Sequence, residues 1–238
     1  MFAAMGCEVS LVVGKSPRHL PRRGGRLAGT RQDSSFKFSG SRDGACLERI
    51  GAGRCGEDPM LMKRPTEQAH EVVSRVVRPG EAVVDATAGN GHDTLFLAER
   101  VGHGGKVVAF DLQQAAIDST RQRLEAAGVA DRVELWRESH AGMARRVEAE
   151  VGAVMFNLGY LPGGDHEVIT RTDQTLRALE VAVGLLRRGG VLTVVCYPGH
   201  AGGDEEAAAV RAWIKERGGE VFPQAREGAP FLVVWELR

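Results

Sequence analysis

The chain has 238 residues, 43% hydrophobic and 26% charged, which is enough for one α/β domain without disulfide or metal support. No apolar run approaches the ~18 residues of a membrane span, which argues against a membrane protein. The four cysteines show neither a Cys-x-x-Cys pair nor zinc-type spacing, so we expect reduced thiols, no metal and a cytoplasmic location.

Charge is balanced overall but unevenly distributed. Residues 1–55 hold ten Lys/Arg and four Asp/Glu, a net charge of +6, so residues 56–238 carry −6. Residues 14–44 are rich in Arg, Gly and Ser and lack any helical or strand periodicity. Such a segment buries too little apolar surface to offset its ordering entropy. We therefore predict a disordered basic extension over residues 1–60 and a folded domain over residues 61–238.

Three interpretations of the extension stay open. Its Arg and Ser content is compatible with an organellar transit peptide, which would make the protein organellar. Its charge is compatible with an RNA-binding tail. Alternatively, translation begins at Met60 or Met62, and the Ala-, Gly-, Arg- and Val-rich usage typical of a GC-rich bacterial gene favours this third interpretation.

From residue 65 onward, helical and strand patterns alternate. They predict a helix over 66–77, a strand–turn–helix unit over 82–101, a strand over 106–112, a helix over 113–128, strands over 132–139 and 152–160, a helix over 171–190, a strand over 191–199, a helix over 204–219, and two short strands after 220. This alternation indicates a parallel sheet covered on both faces. We predict a Rossmann-like, doubly wound, mostly parallel seven-stranded sheet with an antiparallel C-terminal strand.

Ligands of such sheets bind beyond the carboxyl ends of the strands, near the point where the strand order reverses. Residues with useful chemistry at predicted strand ends are therefore site candidates, and we expect all of them at one edge. They are Asp85, Asp111, Glu138 with Ser139, Asn157 and Tyr197.

The turn after the first strand, "DATAGNGHD", is glycine-rich. A dinucleotide fingerprint needs a small residue where Thr94 stands, and a phosphate-binding P-loop needs Gly-Lys-Ser/Thr. The turn instead resembles the D-x-x-x-G-x-G loop of class I S-adenosylmethionine (SAM)-dependent methyltransferases. Gly89 and Gly91 would let the backbone approach the cofactor, Asp85 would face its cationic amino-acid end, and Asp111 would accept both ribose hydroxyl hydrogens.

Either aspartate alone is well explained as a polar strand end, but two at this spacing around a Gly-x-Gly turn favour a SAM site. The segment "LLRRGGVLTVV" also resembles the turn before the fifth strand of that superfamily. Ser139 and His140 are predicted to approach the adenine, with loop capping as the alternative. The predicted cofactor-binding residues are Asp85, Thr87, Gly89, Asn90, Gly91, Asp93, Thr94, Asp111, Gln113, Ser139, His140 and Asn157.

The fourth strand ends in Asn157-Leu158-Gly159-Tyr160. This resembles the Asn/Asp-Pro-Pro-Tyr motif of SAM-dependent methyltransferases that act on amino nitrogens, with both prolines replaced. The Asn157 oxygen and the carbonyl of Leu158 would accept the hydrogens of an amine, and Tyr160 would pack on the substrate. Without the prolines, Gly159 and the turn that follows must shape the pocket.

Several segments together are similar to the bacterial family labelled rRNA methylases, among them "VVDATAGNGHDTLFLAE", "VMFNLGYLPGGDH" and "YPGHAGGDEE". The resemblance runs from about His70 to the C-terminus and does not cover residues 1–60. It implies methylation of 5-aminomethyl(-2-thio)uridine at the tRNA wobble position, with tRNA, through its anticodon stem-loop, as partner.

Further site residues complete the prediction. Asp165 or His166 is a candidate proton acceptor beside Asn157 and Tyr160, although the glycine-rich turn that holds them can equally be structural. The predicted substrate-binding residues are Leu158, Gly159, Tyr197 and His200. The acidic charge of the domain counts against RNA binding. A domain without a separate RNA-binding module must hold the stem-loop by itself or as a homodimer, and we expect the homodimer. The alternatives are methylation of rRNA or a small amine, a nicotinamide-dependent oxidoreductase, and a non-catalytic SAM-binding protein.

Overall fold

The computed structural model describes residues 63–148, 150–159, 171–200, 202–224 and 226–238. The predicted basic extension, residues 1–60, lies outside the described residues. Its character and the predicted domain boundary therefore stay predictions.

Helices and strands alternate through the described part of the chain. In order they are α1 Pro65–Val76, β1 Ala82–Asp85, α2 His92–Val101, β2 Lys106–Asp111, α3 Gln114–Ala127, β3 Val133–Arg137, β4 Val151–Asn157, α4 Thr172–Leu185, β5 Leu186–Cys196, α5 Gly203–Glu216, β6 Glu220–Val221 and β7 Phe231–Glu236, with short 3₁₀ helices at Ala130–Arg132 and His140–Arg145. None of the described helices is both long and apolar enough to cross a membrane.

The strands form one seven-stranded sheet in the order β3-β2-β1-β4-β5-β7-β6. Strands β1 to β5 are parallel, whereas β7 pairs antiparallel with both β5 and β6. The predicted fold class is confirmed. The strand order reverses between β1 and β4, because the chain builds β2 and β3 on one side of β1 and then crosses to the other. The carboxyl ends of β1 and β4 consequently flank the crevice where ligands of such sheets bind.

Both faces of the sheet are buried, which explains the nearly continuous apolar runs of the central strands. Successive residues of β4 point to opposite faces. Val154 and Phe156 pack in the cluster that includes residues of α4 and α5. Ala153 and Met155 pack in the cluster that includes residues of α1 and α2. Asn157 is the first residue of β4 that is not fully buried, so it marks the carboxyl edge of the sheet.

The largest difference from a predicted boundary lies at the end of α4. The helix expected over 171–190 ends at Leu185, and β5 already begins at Leu186. A tertiary contact explains the difference, since the Arg187 guanidinium donates to both carboxylate oxygens of Glu81 at 2.8 and 3.1 Å and to the carbonyl of Val76 at 3.0 Å. This ion pair lies largely out of solvent and holds the chain extended where local sequence alone favours helix.

Candidate active site

A cavity of about 430 Å³ lies at the carboxyl edge of the sheet, in the size range of cofactor and small-ligand sites. Its walls come from the turns after β1, β2, β3, β4 and β5 and from the first turns of α2 and α4. Thirteen of the residues predicted for the site line it: Thr87, Gly89, Asn90, Asp93, Asp111, Gln113, Glu138, His140, Asn157, Leu158, Gly159, Tyr197 and His200. The topology thus brings together side chains separated by more than 100 positions.

The glycine-rich loop forms one wall with its backbone. Gly89 and Gly91 both have positive φ, at 53° and 77°, which non-glycine residues rarely adopt. The Thr120 hydroxyl of α3 donates to the Gly89 carbonyl at 3.1 Å. Thr120 also fills the space beside Gly91, where an added Cβ would lie 2.8 Å from the Thr120 Cα. The loop is therefore clamped against α3 on one side, and its other side lines the cavity.

This close approach predicts that Gly91→Ala is strongly damaging. The methyl group meets backbone rather than a flexible side chain, and the positive φ adds strain. We expect a loss of about 2–4 kcal/mol in the free energy of unfolding, measured by urea denaturation. Gly128→Ala is the matched control, because Gly128 has a similar φ of 68° and nothing within 4 Å of an added Cβ. Equal losses in the two variants would contradict the proposed clamp.

Asp111 stands at the end of β2 and lines the cavity. One carboxylate oxygen accepts the amide of Gly89 at 2.9 Å, and the other accepts the amide of Gln113 at 2.9 Å. Each oxygen of a carboxylate can accept more than one hydrogen bond. Asp111 can therefore hold the loop in place and still accept the two hydroxyls of a ribose, as its position in the sequence predicts.

Asp85 differs from its prediction. It is only 1% exposed and does not line the cavity. It accepts the Thr94 hydroxyl at 2.6 Å and the Thr87 amide at 3.0 Å, so it ties the loop to the start of α2. Burial raises its pKa to about 7, and the charges of Asp93 and Asp111 act in the same direction. Asp85 therefore supports the loop from the side away from the cavity, and its contact with the amino-acid end of the cofactor stays a prediction.

Three other predicted cofactor contacts also lie outside the cavity lining: Gly91, Thr94 and Ser139. Ser139 instead caps the following 3₁₀ helix, because its Oγ accepts the Ala141 amide at 3.3 Å. For Ser139 the loop-capping alternative therefore describes the structure better than the adenine contact does.

His140 does line the cavity, and its tautomer follows from its surroundings. Its Nδ1 lies 3.2 Å from the carbonyl of Ala86, which can only accept, so Nδ1 carries the proton. Burial lowers the pKa of the His140 ring, which favours the neutral form. The ring packs edge-on against Phe156, with the centroids 5.5 Å apart.

Hydrogen bonds from both its backbone and its side chain anchor Asn157 in the cavity. Its backbone amide donates to the Thr87 hydroxyl oxygen at 2.7 Å, and its Nδ2 donates to Asp93 at 3.2 Å. A carboxylate only accepts hydrogen bonds, so the amide nitrogen must face Asp93 and the amide oxygen points away from it. A side-chain hydrogen bond joins Asn157 to Tyr197. Burial and the charge of Asp93 raise the pKa of the Tyr197 phenol, so the phenol stays neutral.

The residues after Asn157 continue this wall. Leu158 is buried, and its amide donates to the Val195 carbonyl at 2.9 Å. Gly159 has a φ of 142°, and an added Cβ would lie 3.8 Å from the Tyr197 ring and 3.9 Å from His200 Nε2. Gly159, Tyr197 and His200 thus converge at one end of the cavity. Tyr160, Asp165 and His166 lie outside the described residues, so their predicted roles stay predictions.

Sequence reasoning missed several lining residues. Arg171 and Gln174 reach the cavity from the start of α4, and no local pattern indicated it. Leu112 also lines the cavity and is 48% exposed. The sequence feature that could have indicated it is an apolar residue directly after Asp111, at the end of a strand. The described residues contain no group of three His, Cys, Asp or Glu side chains arranged to hold a metal ion.

The sheet order, the clamped Gly-x-Gly loop and the acidic end of β2 together define a class I SAM-dependent methyltransferase fold. The chain covers 98% of a solved "putative rRNA-methylase" from Clostridium thermocellum at 40% identity, with a TM-score of 0.71 over 74% of this chain. A protein from Streptococcus mutans described as "a putative methyltransferase", solved in complex with SAH, is 37% identical over 98% of its length and 74% of this chain, with a TM-score of 0.65. The family profile described as "Putative rRNA methylase" matches residues 107–222. The chain belongs to this rRNA methylase family.

A curated relative extends the comparison. A chloroplastic tRNA (mnm⁵s²U34)-methyltransferase from Arabidopsis thaliana is 44% identical over 161 residues. The aligned region covers 63% of this chain and 59% of that protein. The chain thus spans about three fifths of the length of this relative.

Proposed function

We propose that the protein is a SAM-dependent N-methyltransferase that converts 5-aminomethyl(-2-thio)uridine at the tRNA wobble position to its methylaminomethyl form. The observation that carries the proposal is the anchored Asn157 amide, which stands in the same cavity as the Gly89 loop and Asp111. The name of the Arabidopsis relative supports the choice of nucleoside.

The residues present fit the cofactor. At Gly89 the loop presents its backbone to the cavity without a side chain, and Asp111 offers a carboxylate for a ribose diol. When bound, SAM supplies a methyl group on a positively charged sulfur, which is already an activated leaving group. The protein therefore has to orient an amine lone pair more than it has to perform acid–base chemistry.

The chain's own residues would orient that amine. The oxygen of Asn157 can accept one amine hydrogen, and the backbone carbonyl of Leu158 can accept a second. Tyr197 and Gly159 bound the same end of the cavity. Partial desolvation in the pocket lowers the pKa of a bound amine and so disfavours its protonated form, which has no lone pair to offer.

The proposal includes the anticodon stem-loop as the RNA element and a homodimer as the assembly. Residues 56–238 carry a net charge of −6, so RNA binding must rest on a local basic patch or on a second copy of the chain. Arg171, which lines the cavity and is largely exposed, is one candidate for a phosphate contact. The cytoplasmic location stays a prediction.

Nucleoside mass spectrometry tests the function directly. Unmodified and aminomethyl-bearing tRNA are incubated with enzyme and SAM and then digested to nucleosides. We expect aminomethyluridine to disappear and its methylated form, heavier by one CH₂, to accumulate. Persistence of aminomethyluridine alongside full SAM binding by calorimetry would overturn the substrate assignment and leave the methyltransferase class intact.

The same assay addresses a second candidate, methylation of rRNA or a small amine. The acidic charge of the folded region is the observation that favours a non-tRNA substrate. Parallel reactions with ribosomal RNA and with a free primary amine, followed by release of SAH, would reveal it.

A further inference from the structure

A pair of side chains connects Asn157 to the outer surface of the protein. Asp93, in the first turn of α2, lines the cavity and accepts the Asn157 amide. Its other carboxylate oxygen lies 2.6 Å from Nε2 of His70. His70 belongs to α1 and does not line the cavity, and its side chain is 29% exposed, against 10% for Asp93.

The His70 ring is held in a defined position. It stacks on Phe96 with the centroids 3.9 Å apart and the planes within 3°. This stack fixes the ring plane, and the short contact with Asp93 fixes which nitrogen faces inward. The pair therefore has one end in the cavity and the other towards solvent, at a spacing suited to proton transfer.

The proposed reaction creates a need for such a pair. A primary alkylamine is an ammonium ion at neutral pH, with a pKa near that of lysine, about 10. One proton must leave this ammonium before its nitrogen can attack, and the methylated product can depart as a secondary ammonium. Each turnover thus releases one proton, and the cavity needs a route for it.

We propose that Asp93 and His70 form this proton exit, a role that rests on the proposed N-methyltransferase function. The Asp93 carboxylate takes the proton from the substrate ammonium, and the freed lone pair forms the new N–C bond as the S–C bond breaks. Asp93 then passes its proton to His70, and the imidazole releases it to solvent. Asp93 is the catalytic residue of the pair, and His70 is a positioning and proton-carrying residue.

Other ionisable groups lie near the pair along α1 and α2, line the same cavity or interact electrostatically with Asp93, and they contribute to its pH dependence. They are Asp85 from β1, His92 beside Asp93 on α2, Tyr197 and His200 after β5, and Arg64 with Glu67 at the start of α1. Of these, Asp85 and Tyr197 interact electrostatically with Asp93. A variant at His70 leaves all of them in place, so His70 is the position to change.

The test is a pH–rate profile of His70→Gln in single turnover, with saturating SAM and aminomethyluridine RNA. Glutamine can still donate to Asp93, but it cannot carry a proton. We expect the variant to be about 10²-fold slower than wild type at pH 7. At pH 9.5 the substrate amine begins to lose its proton unaided, so the two rates should converge to within about threefold.

Two controls separate the possible outcomes. His103→Gln, an exposed histidine at the opposite edge of the sheet, should match wild type at every pH. Imidazole added to His70→Ala should restore rate at pH 7 without changing SAM affinity. A His70→Gln rate that is wild-type at pH 7, or equally low at all pH values, would overturn the proton exit. A wild-type enzyme that transfers no methyl group to this RNA would instead overturn the proposed function, and the exit with it.

Discussion

Asn157→Ala is expected to lower the single-turnover rate of methyl transfer by about 10²–10³-fold while leaving SAM affinity within about threefold. The reason is geometric. The amide nitrogen is fixed by Asp93 at 3.2 Å, so the oxygen is directed away from that carboxylate and can accept an amine hydrogen. Removing the side chain deletes this acceptor and leaves the glycine loop and Asp111, which are among the predicted cofactor contacts, unchanged.

Stopped reactions with excess enzyme give the rate, and calorimetry with SAM gives the affinity. Asn90→Ala is the matched control, since Asn90 lines the cavity from the glycine loop, on the predicted cofactor side. It should weaken SAM binding and leave the rate at saturating SAM nearly unchanged. If Asn157→Ala instead abolished SAM binding, Asn157 would belong to the cofactor side of the site.

The elements that sequence predicted well are those fixed by local pattern. β4 is an unbroken apolar run that ends at an asparagine, and both features follow from a strand buried on its two faces. The glycine loop was equally visible, because positive φ at Gly89 and Gly91 demands residues without a side chain. Once the parallel sheet is inferred, the alignment of these strand ends at one edge follows from topology.

The features that sequence could not supply depend on contacts between distant residues. The early end of α4 is set by Arg187 and Glu81, which lie 106 positions apart. The inward orientation of Asp85 is set by the Thr94 hydroxyl and by the packing of α2 over the strand end. His70 had a weak local signal, as it adjoins the buried Ala69 and lies three positions before the buried Val73. Its contact with Asp93 became visible only in three dimensions.

The end of β4 depends both on local sequence and on contacts between distant residues. The sequence predicted that Gly159 would have to shape a pocket that lacks the two prolines of related motifs. In the structure Gly159 adopts a φ of 142° and faces both Tyr197 and His200. The positive φ of Gly159 therefore changes the chain direction at the end of β4, where related motifs have prolines. Thr87 and Asp93, through their hydrogen bonds, hold Asn157 in place.

Asp85→Asn is expected to change how stability depends on pH. Burial raises the Asp85 pKa from 3.8 to about 7 in the folded state, so the folded protein holds this proton more tightly than the unfolded chain does. The stabilising contribution is complete below pH 3.8 and is lost as pH rises through about 7. Full ionisation of a carboxyl shifted this far costs the folded state about 4 kcal/mol. Asparagine has nearly the same shape and no charge, so its variant should not show this loss.

Urea denaturation at pH 5 and pH 8 measures the effect. The free energy of unfolding of Asp85→Asn, relative to wild type, should rise by about 3 kcal/mol between the two pH values. Asp131→Asn, an exposed aspartate on a surface turn, is the control and should track wild type at both. Because histidines and other carboxyls titrate in all three proteins, only the difference between variants reports on Asp85. A difference that is constant with pH would mean that Asp85 is already ionised in the folded protein at pH 5, and that the loop rests on a buried charge.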